Sequence, residues 1–464
     1  MSRPTTIGEL RESGYRVLPV KEEMRKNLIA KIRSEEDIFP GIIGYDQTII
    51  PQIENAILSG QDLIFLGERG QAKTRIARSL VNLLDDEVPV IAGCEINDDP
   101  FHPICQTCRL AVEERGDAVP ISWLPRDHRY GEKLATPDIT IADLIGEVDP
   151  IKVAEGRYLS DELTIHYGLV PRTHRGIFCI NELPDLAERI QVGLLNIMEE
   201  RDVQIRGYKV RLPLDIYIVA SANPEDYTNR GRIITPLKDR VGSQIRTHYP
   251  KTIEHEIDIM ARESASFSTE GYQVSVPKYM QEIVAEITHL ARKSPDISQR
   301  SGVSVRVSIT NYENLISSAL KRAIRLDERQ ASPRISDLAS IEASTVGKIE
   351  LETMGDGRED RIIERIVDGA VQTVFARYFA LQEFEDLDRS FERGLAIEVS
   401  ESMPSMKYVS QASEIRGLRA GVARLGGHGN PAAIASAVEF MLEGLHLNRK
   451  LNKDQTGGTT RYRG

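Results

Sequence analysis

One segment constrains this chain more than any other. Residues 62–67, DLIFLG, are a short apolar run that passes at once into GERGQAKTRIARSLVNLL. An apolar run, a glycine-rich turn and a helical pattern read as strand, loop and helix. Within the turn, Gly67, Glu68, Arg69, Gly70, Gln71, Ala72, Lys73 and Thr74 follow the spacing G-x-x-x-x-G-K-[ST], with alanine at 72 where the pattern has glycine. Such a loop wraps phosphates with its backbone N–H groups, and the next helix points its positive end at them. Lys73 is then placed to reach the β- and γ-phosphates of ATP, and the Thr74 hydroxyl to ligate Mg²⁺. Alanine is small but disfavours positive φ, so position 72 departs from the pattern physically as well as by letter. The plainer alternative is a glycine turn with Lys73 merely exposed.

Downstream residues favour the phosphate loop. GIFCINEL is an apolar strand ending in Asn181 and Glu182. ATPases of this kind end that strand in Asp-Glu, the Asp orienting Mg²⁺ and the Glu polarising the attacking water. Here Glu182 keeps the position of the base, and Asn181 offers an amide of similar shape without the charge. DIYIVASAN ends in Asn223, which can position a water beside the γ-phosphate; alone, an Asn before a proline is a turn residue. VPVIAG is a further expected strand. Strands alternating with helical patterns such as LAERIQVGLLNIMEE indicate an α/β fold with a mostly parallel sheet flanked by helices.

In this order, GERGQAKT, GIFCINELPDL, SANPEDY, PLKDRVG and SGVSVRV resemble the AAA+ branch that holds the magnesium chelatase I subunit and the MoxR-like ATPases, over about residues 38–350. Two more segments fit that branch: RDVQIRGYKVRLPLD, a β-hairpin with its turn near Arg206–Tyr208, and DPIKVAEGRYLSDELTIHYGLVPRTHRG, where the family carries an insertion in its second helix. The resemblance implies an ATP-dependent homo-oligomeric ring, hexameric or heptameric, acting with Mg²⁺ on a partner that carries a von Willebrand-type domain. It implies that Arg240, in PLKDR, projects into the nucleotide of a neighbouring subunit, with Arg230 and Arg232 as competitors. It makes Arg306 the nucleotide-reporting arginine of a helical lid, with Arg300 next. Nothing in the sequence marks a porphyrin site, so remodelling of a partner or assistance in metal or cofactor insertion is the expected role.

The cysteines are few. Cys94, Cys105 and Cys108 fall in CEINDDPFHPICQTC, and Cys179 lies in an apolar strand. The spacing Cys105-x-x-Cys108 suits a metal turn, and Cys94 and His102 can complete a Cys₃His zinc set. Asp98 and Asp99 are poorer ligands for a sulfur-rich site. Three reduced cysteines in a loop are the bland alternative.

Composition excludes some classes. The chain has 464 residues, 41% hydrophobic and 28% charged, with a formal net charge of −11. No apolar run reaches the length of a membrane span, and the first residues lack the apolar core of a signal peptide, so a cytoplasmic location is expected. The acidic balance argues against a nucleic-acid partner. The expected organisation is a helical segment at 1–37, the nucleotide-binding domain at 38–250, a helical lid at 251–350, a helical C-terminal extension at 351–450 and a disordered polar tail at 451–464. Two other functions stay open: an ATPase activator of transcription or a helicase, which share the loop and sheet, and a scaffold that binds nucleotide without hydrolysing it, for which Ala72 and Asn181 speak.

Overall fold

The computed structural model describes residues 3–149, 151, 154, 162–199, 202–204, 211–223, 231–265, 271–299, 301–352, 358–427 and 429–464. The chain divides into two units, Met1–His248 and Tyr249–Gly464.

The strands of the first unit are β1 (Leu63–Leu66), β2 (Glu87–Ile91), β3 (Ile121–Pro125), β4 (Tyr130–Leu134), β5 (Gly146–Val148), β6 (Ile165–Tyr167), β7 (Gly176–Asn181), β8 (Asp202–Gln204), β9 (Arg211–Pro213), β10 (Ile216–Ala222) and β11 (Ser243–Arg246). Five of them form a parallel sheet in the order β11-β1-β10-β7-β4. A parallel sheet is covered on both faces, so its inner strands are apolar throughout. Every residue of β7 and β10 is buried. Alternate side chains serve two cores: Ile64, Phe178, Ile180 and Ile218 enter one, and Phe65, Ile177, Cys179 and Tyr217 the other. The register pairs Leu66 with Ala222, and Leu134 with Asn181, so these strands end along one edge of the sheet. Ligands of open α/β sheets bind at that edge.

The strand expected at VPVIAG forms, but outside this sheet. β2 pairs antiparallel with β3, with Pro89 opposite Trp123. Proline cannot donate to a ladder, which suits a two-stranded ribbon better than a central strand. The sheet's edge is β4 instead, whose sequence YGEKL carries a glycine and two charges. The hairpin expected before β10 forms as β8 against β9, Val203 opposite Leu212; its turn lies outside the described residues.

The N-terminal segment is built into this first unit. The helix Val20–Ser34 buries Val20, Met24 and Leu28 in the core beneath β1 and β10. Its Glu23 accepts from both terminal nitrogens of Arg129, at 2.7 and 2.6 Å, and from the Asp85 N–H at 2.6 Å. Arg129 also donates Nε to the Arg175 carbonyl at 2.8 Å. Both charged groups are buried and fully partnered, the condition under which such a pair is tolerated.

The second unit is mainly helical. Lys278–Lys293, Val305–Leu326, Arg358–Tyr378 and Pro431–Leu447 surround one core, in which Tyr279 stacks on Phe440 at 4.6 Å and donates to Ser436 Oγ at 2.7 Å. Residues on both sides of position 350 share that core. The tail expected to be disordered is a hairpin. Asn452–Thr456 and Thr459–Arg463 pair antiparallel, and the latter pairs with Ala396–Ser400. One face is anchored: Tyr462 is buried and its hydroxyl donates to Glu443. Gly457 and Gly458 take φ of 58° and 79°, the left-handed turn a two-residue hairpin needs. Among the described residues no helix is long and apolar enough to cross a membrane.

Candidate nucleotide site

The glycine-rich loop connects β1 to the helix Lys73–Ser79. Gly70 and Ala72 both take left-handed backbone, with φ of 76° and 56°. Ala72 therefore adopts the conformation its side chain disfavours, at a cost of about 1 kcal/mol against glycine. Gly67 is needed for a different reason. A Cβ there would lie 1.9 Å from Thr247 Oγ1 and 2.3 Å from Gln71 Oε1. Those two atoms are bonded at 2.7 Å, and Gln71 Oε1 also accepts from the Glu68 N–H at 3.1 Å, so the Gln71 side chain braces the turn from within. A cavity of about 440 Å³ opens beside the loop, bordered by Glu68, Lys238 and Arg246.

The predicted polar residues converge at this edge of the sheet. Lys73 is buried, donating to the carbonyls of Gly67 and Glu68 and to Asn223 Oδ1 at 2.6 Å. Asn223 Nδ2 donates to Glu182 Oε2 at 2.7 Å. Thr74 Oγ1 lies 3.4 Å from Asn181 Oδ1, which also accepts from Ser221 Oγ at 3.2 Å. Ser221 Oγ in turn accepts the Glu182 N–H at 3.2 Å. Glu182 holds φ of 56°, a conformation uncommon outside glycine that turns its carboxylate back toward Asn223. The lysine of the loop, the strand-end pair and the next strand's asparagine thus form one hydrogen-bonded network.

Two members of this network lie outside the sequence motifs. Ser221 sits inside β10 and ties the backbone of Glu182 to Asn181. Glu132, on β4, accepts from Asn181 Nδ2 at 2.6 Å and receives Arg78 through Nε and Nη2 at 2.7 and 2.9 Å. A carboxylate therefore stands beside the amide that replaces the usual aspartate. Its only sequence signal was a glutamate in a strand that the apolar pattern did not disclose.

The arginines are placed more loosely. Arg240 ends the helix Thr235–Arg240, half-buried, with Nη1 3.0 Å from the Pro236 carbonyl. Arg232 is exposed and pairs with Glu188 at 3.3 Å. Arg306 is exposed in the first turn of Val305–Leu326, its N–H donated to Ser304 Oγ. Arg230 and Arg300 lie outside the described residues.

The cysteine segment departs from expectation in one ligand. Cys94, Cys105 and Cys108 converge, but the fourth group beside them is Asp98. His102 points away: its side chain is 85% exposed, with Nδ1 3.3 Å from Asp99. The reason is local. Asn97 takes left-handed backbone, φ 59°, which returns Asp98 toward Cys94, whereas His102 follows Pro100 on the outside of the loop. Hydrogen bonds from the Cys105 and Cys108 thiols hold the Cys94 thiol well below its ordinary range.

A parallel five-stranded sheet in this order, with a glycine-rich loop after β1 and polar strand ends after β7 and β10, is the architecture of a P-loop AAA+ fold. Several known proteins are similar in sequence or structure. The Sigma-54 interaction domain family matches residues 155–241. The chloroplastic magnesium-chelatase subunit ChlI of Oryza sativa subsp. indica is 24% identical over 331 residues, covering 65% of this chain and 73% of that protein. The ChlI homolog of Methanocaldococcus jannaschii is 26% identical over 235 residues, covering 48% of this chain and 58% of its own. A solved complex of the magnesium chelatase subunits BchI and BchD aligns with a TM-score of 0.33 at 16% identity, covering 75% of this chain and 99% of that one. The chain has a P-loop AAA+ fold and is similar in sequence to magnesium chelatase I subunits.

Proposed function

We propose that this protein hydrolyses ATP as a homo-oligomeric AAA+ ring and uses the cycle to remodel a partner protein, or to assist metal or cofactor insertion, in the manner of the magnesium chelatase I subunit and MoxR-like ATPases. One observation carries the reading: Lys73, Asn223 and Glu182 form a continuous hydrogen-bonded chain at the strand ends. A lysine that binds phosphate, an asparagine that senses it and a carboxylate that can accept a proton from water are joined there. Each can pass a change in occupancy to the next.

The residues have separable tasks. The loop amides and Lys73 hold the terminal phosphates, and Glu182, oriented by Asn223, draws a proton from the attacking water. Arg240 stabilises charge on the γ-phosphate of an adjacent subunit, and Arg306 reports nucleotide from the lid. Thr74, Asn181 and Glu132 present a hydroxyl, an amide oxygen and a carboxylate, the hard donor set Mg²⁺ takes. Mg²⁺, when bound with ATP, neutralises charge on the β- and γ-oxygens. Glu132, shared with the exposed Arg78, places a carboxylate beside Asn181, which supports an amide serving at that position. A partner with a von Willebrand-type domain is the expected client of the ring.

The match to the Sigma-54 interaction domain over 155–241 supports a second reading, an ATPase that acts on the transcription machinery. Salt-dependent DNA binding by the chain would favour it.

The deciding experiment is steady-state ATP hydrolysis with Mg²⁺, comparing the native chain with Lys73→Ala and Glu182→Gln and sizing each by light scattering. Turnover abolished by both substitutions, with rings promoted by ATP, is the expected result. Rings without turnover in the native chain would favour the non-hydrolysing scaffold. A chain that binds no nucleotide would end the proposal.

A further inference from the structure

The segment between β2 and β3 carries a cluster that the nucleotide site does not use. Ligand atoms of Cys94, Asp98, Cys105 and Cys108 all lie within 4.8 Å of one another, and the Cys94 and Cys105 sulfurs are 4.0 Å apart. We propose that these four residues form a structural site for a single soft divalent cation, Zn²⁺ in the first place. It is the arrangement of the whole segment around these four groups that points to it.

The distances select the ligand. Tetrahedral zinc with Zn–S bonds near 2.3 Å sets its thiolates about 3.8 Å apart. A disulfide holds its sulfurs at about 2.05 Å, far closer than this pair. A spread of 4.8 Å leaves room for one ion among the four groups, not for an iron–sulfur cluster. Three sulfurs and one carboxylate match zinc better than Mg²⁺ or Ca²⁺, which take oxygen. Four protein ligands fill a tetrahedron and leave no position open for substrate, so the site is structural.

Backbone groups already orient the ligands. The Ile96 and Asp98 N–H groups both point at Cys94 Sγ, at 3.4 Å, and the Cys108 N–H at Cys105 Sγ, also at 3.4 Å. Asp98 accepts from the N–H groups of Ile104 at 3.2 Å and Cys105 at 3.0 Å, which fixes its carboxylate against the cysteine turn. Such outer contacts set ligand direction and stabilise the anionic forms a metal requires. Cys105 also caps the helix Gln106–Arg115, so the positive helix end adds to the same effect.

An independent observation gives the site a task. The helix Gln106–Arg115 is ten residues long, yet Cys108 is its only buried side chain, and Leu110 is exposed. A helix of this length is ordinarily held by an apolar face packed on a core. This one has almost none. Apart from Val112, which packs half-buried against the core, and Glu162, which accepts from the Gln106 N–H and from Arg109, its attachment runs through the cysteine cluster. A metal crosslink is the interaction that can fix such a helix.

The test is metal analysis of the purified full-length chain with native thiol titration. The expected result is one zinc per chain with Cys94, Cys105 and Cys108 unreactive until denaturation or chelation. Replacing zinc by Co²⁺ should give thiolate-to-cobalt charge-transfer absorption of a tetrahedral site. Cys108→Ser should lose the equivalent of metal, and Asp98→Asn, which keeps the side chain's size but can accept only one of the two N–H groups, should weaken zinc affinity by at least about tenfold, with thermal unfolding of the metal-free chains measured alongside to separate loss of a ligand from local strain. His102→Ala should leave the stoichiometry unchanged. A native chain that takes up neither Zn²⁺ nor Co²⁺, or one in which mass spectrometry finds Cys94 joined to Cys105 or Cys108 as a disulfide, would overturn the assignment. So would unaltered zinc affinity in Asp98→Asn together with loss in His102→Ala, which would return the fourth ligand to the histidine.

Discussion

Asn181 Nδ2 donates to Glu132 Oε1 across 2.6 Å, so the amide ending β7 and a carboxylate on the edge strand β4 act as one polar group. If that carboxylate replaces the charge an aspartate would carry, the two positions should be exchangeable. Glu132→Gln should raise the Mg²⁺ concentration for half-maximal ATP hydrolysis about tenfold, equivalent to roughly 1.4 kcal/mol. Asn181→Asp added to it should recover most of the loss. Asn181→Asp alone sets two carboxylates at hydrogen-bond distance, one of which must hold a proton without the metal, so it should gain little. A magnesium titration indifferent to Glu132→Gln would dismiss this role.

Ala72 offers a test of backbone strain. Ala72→Gly relieves the left-handed conformation but gives the unfolded chain more freedom, so a small net gain of about 0.5 kcal/mol in urea unfolding is expected. Ala72→Val places a branched side chain at positive φ and should cost about 1–2 kcal/mol while weakening nucleotide binding. Equal stability of all three chains would show that the loop does not hold this φ in solution.

His174 should make stability depend on pH. It is buried, its Nδ1 accepts the Asp215 N–H at 2.9 Å, and burial, aided by neighbouring Arg175, lowers its pKa to about 3. The unfolded chain protonates this histidine near pH 6.5. Between pH 6.5 and about 3 the unfolded state therefore binds more protons, and stability falls as pH falls, by up to about 1.4 kcal/mol per unit from this group. His174→Asn keeps an acceptor for the Asp215 N–H and should flatten that part of the profile. An unchanged slope from pH 7 to 5 would assign the dependence elsewhere.

Arg240 is proposed to act across a subunit boundary, and mixing can reveal that. Arg240→Ala should reduce turnover about a thousandfold while nucleotide binding persists. Rings mixed from Arg240→Ala and Glu182→Gln subunits contain some sites with an intact base and an intact neighbouring arginine, and should recover part of the activity. Mixed rings as inactive as their parents would place the arginine's role within its own subunit or in folding.

The parts of this architecture that were legible in the sequence were those buried on both sides. β1, β7 and β10 announced themselves because a central parallel strand is continuously apolar. The site residues at their ends could then be located by counting from those runs. β4 was not legible because an edge strand needs only one covered side and tolerates the charges of YGEKL. Glu132 was lost with it. The ligand role of Asp98 depends on a left-handed Asn97, and a single backbone turn leaves no periodic trace. The C-terminal hairpin reads as a polar tail because only Tyr462 on its last strand is buried, although Gly457-Gly458 between polar runs is a turn signal.

Glu23 and Arg129 also bear on how this protein can be dissected. The helix that carries Glu23 precedes the first residue at which the nucleotide-binding sequence becomes recognisable, and motif boundaries invite a cut near residue 38. Such a fragment would keep every proposed catalytic group and strand one guanidinium in its interior, an error of about 3–5 kcal/mol in a domain whose whole margin is of similar order. The smallest working piece of this protein is therefore set by where its buried charges find their counterparts, and begins well upstream of its chemistry.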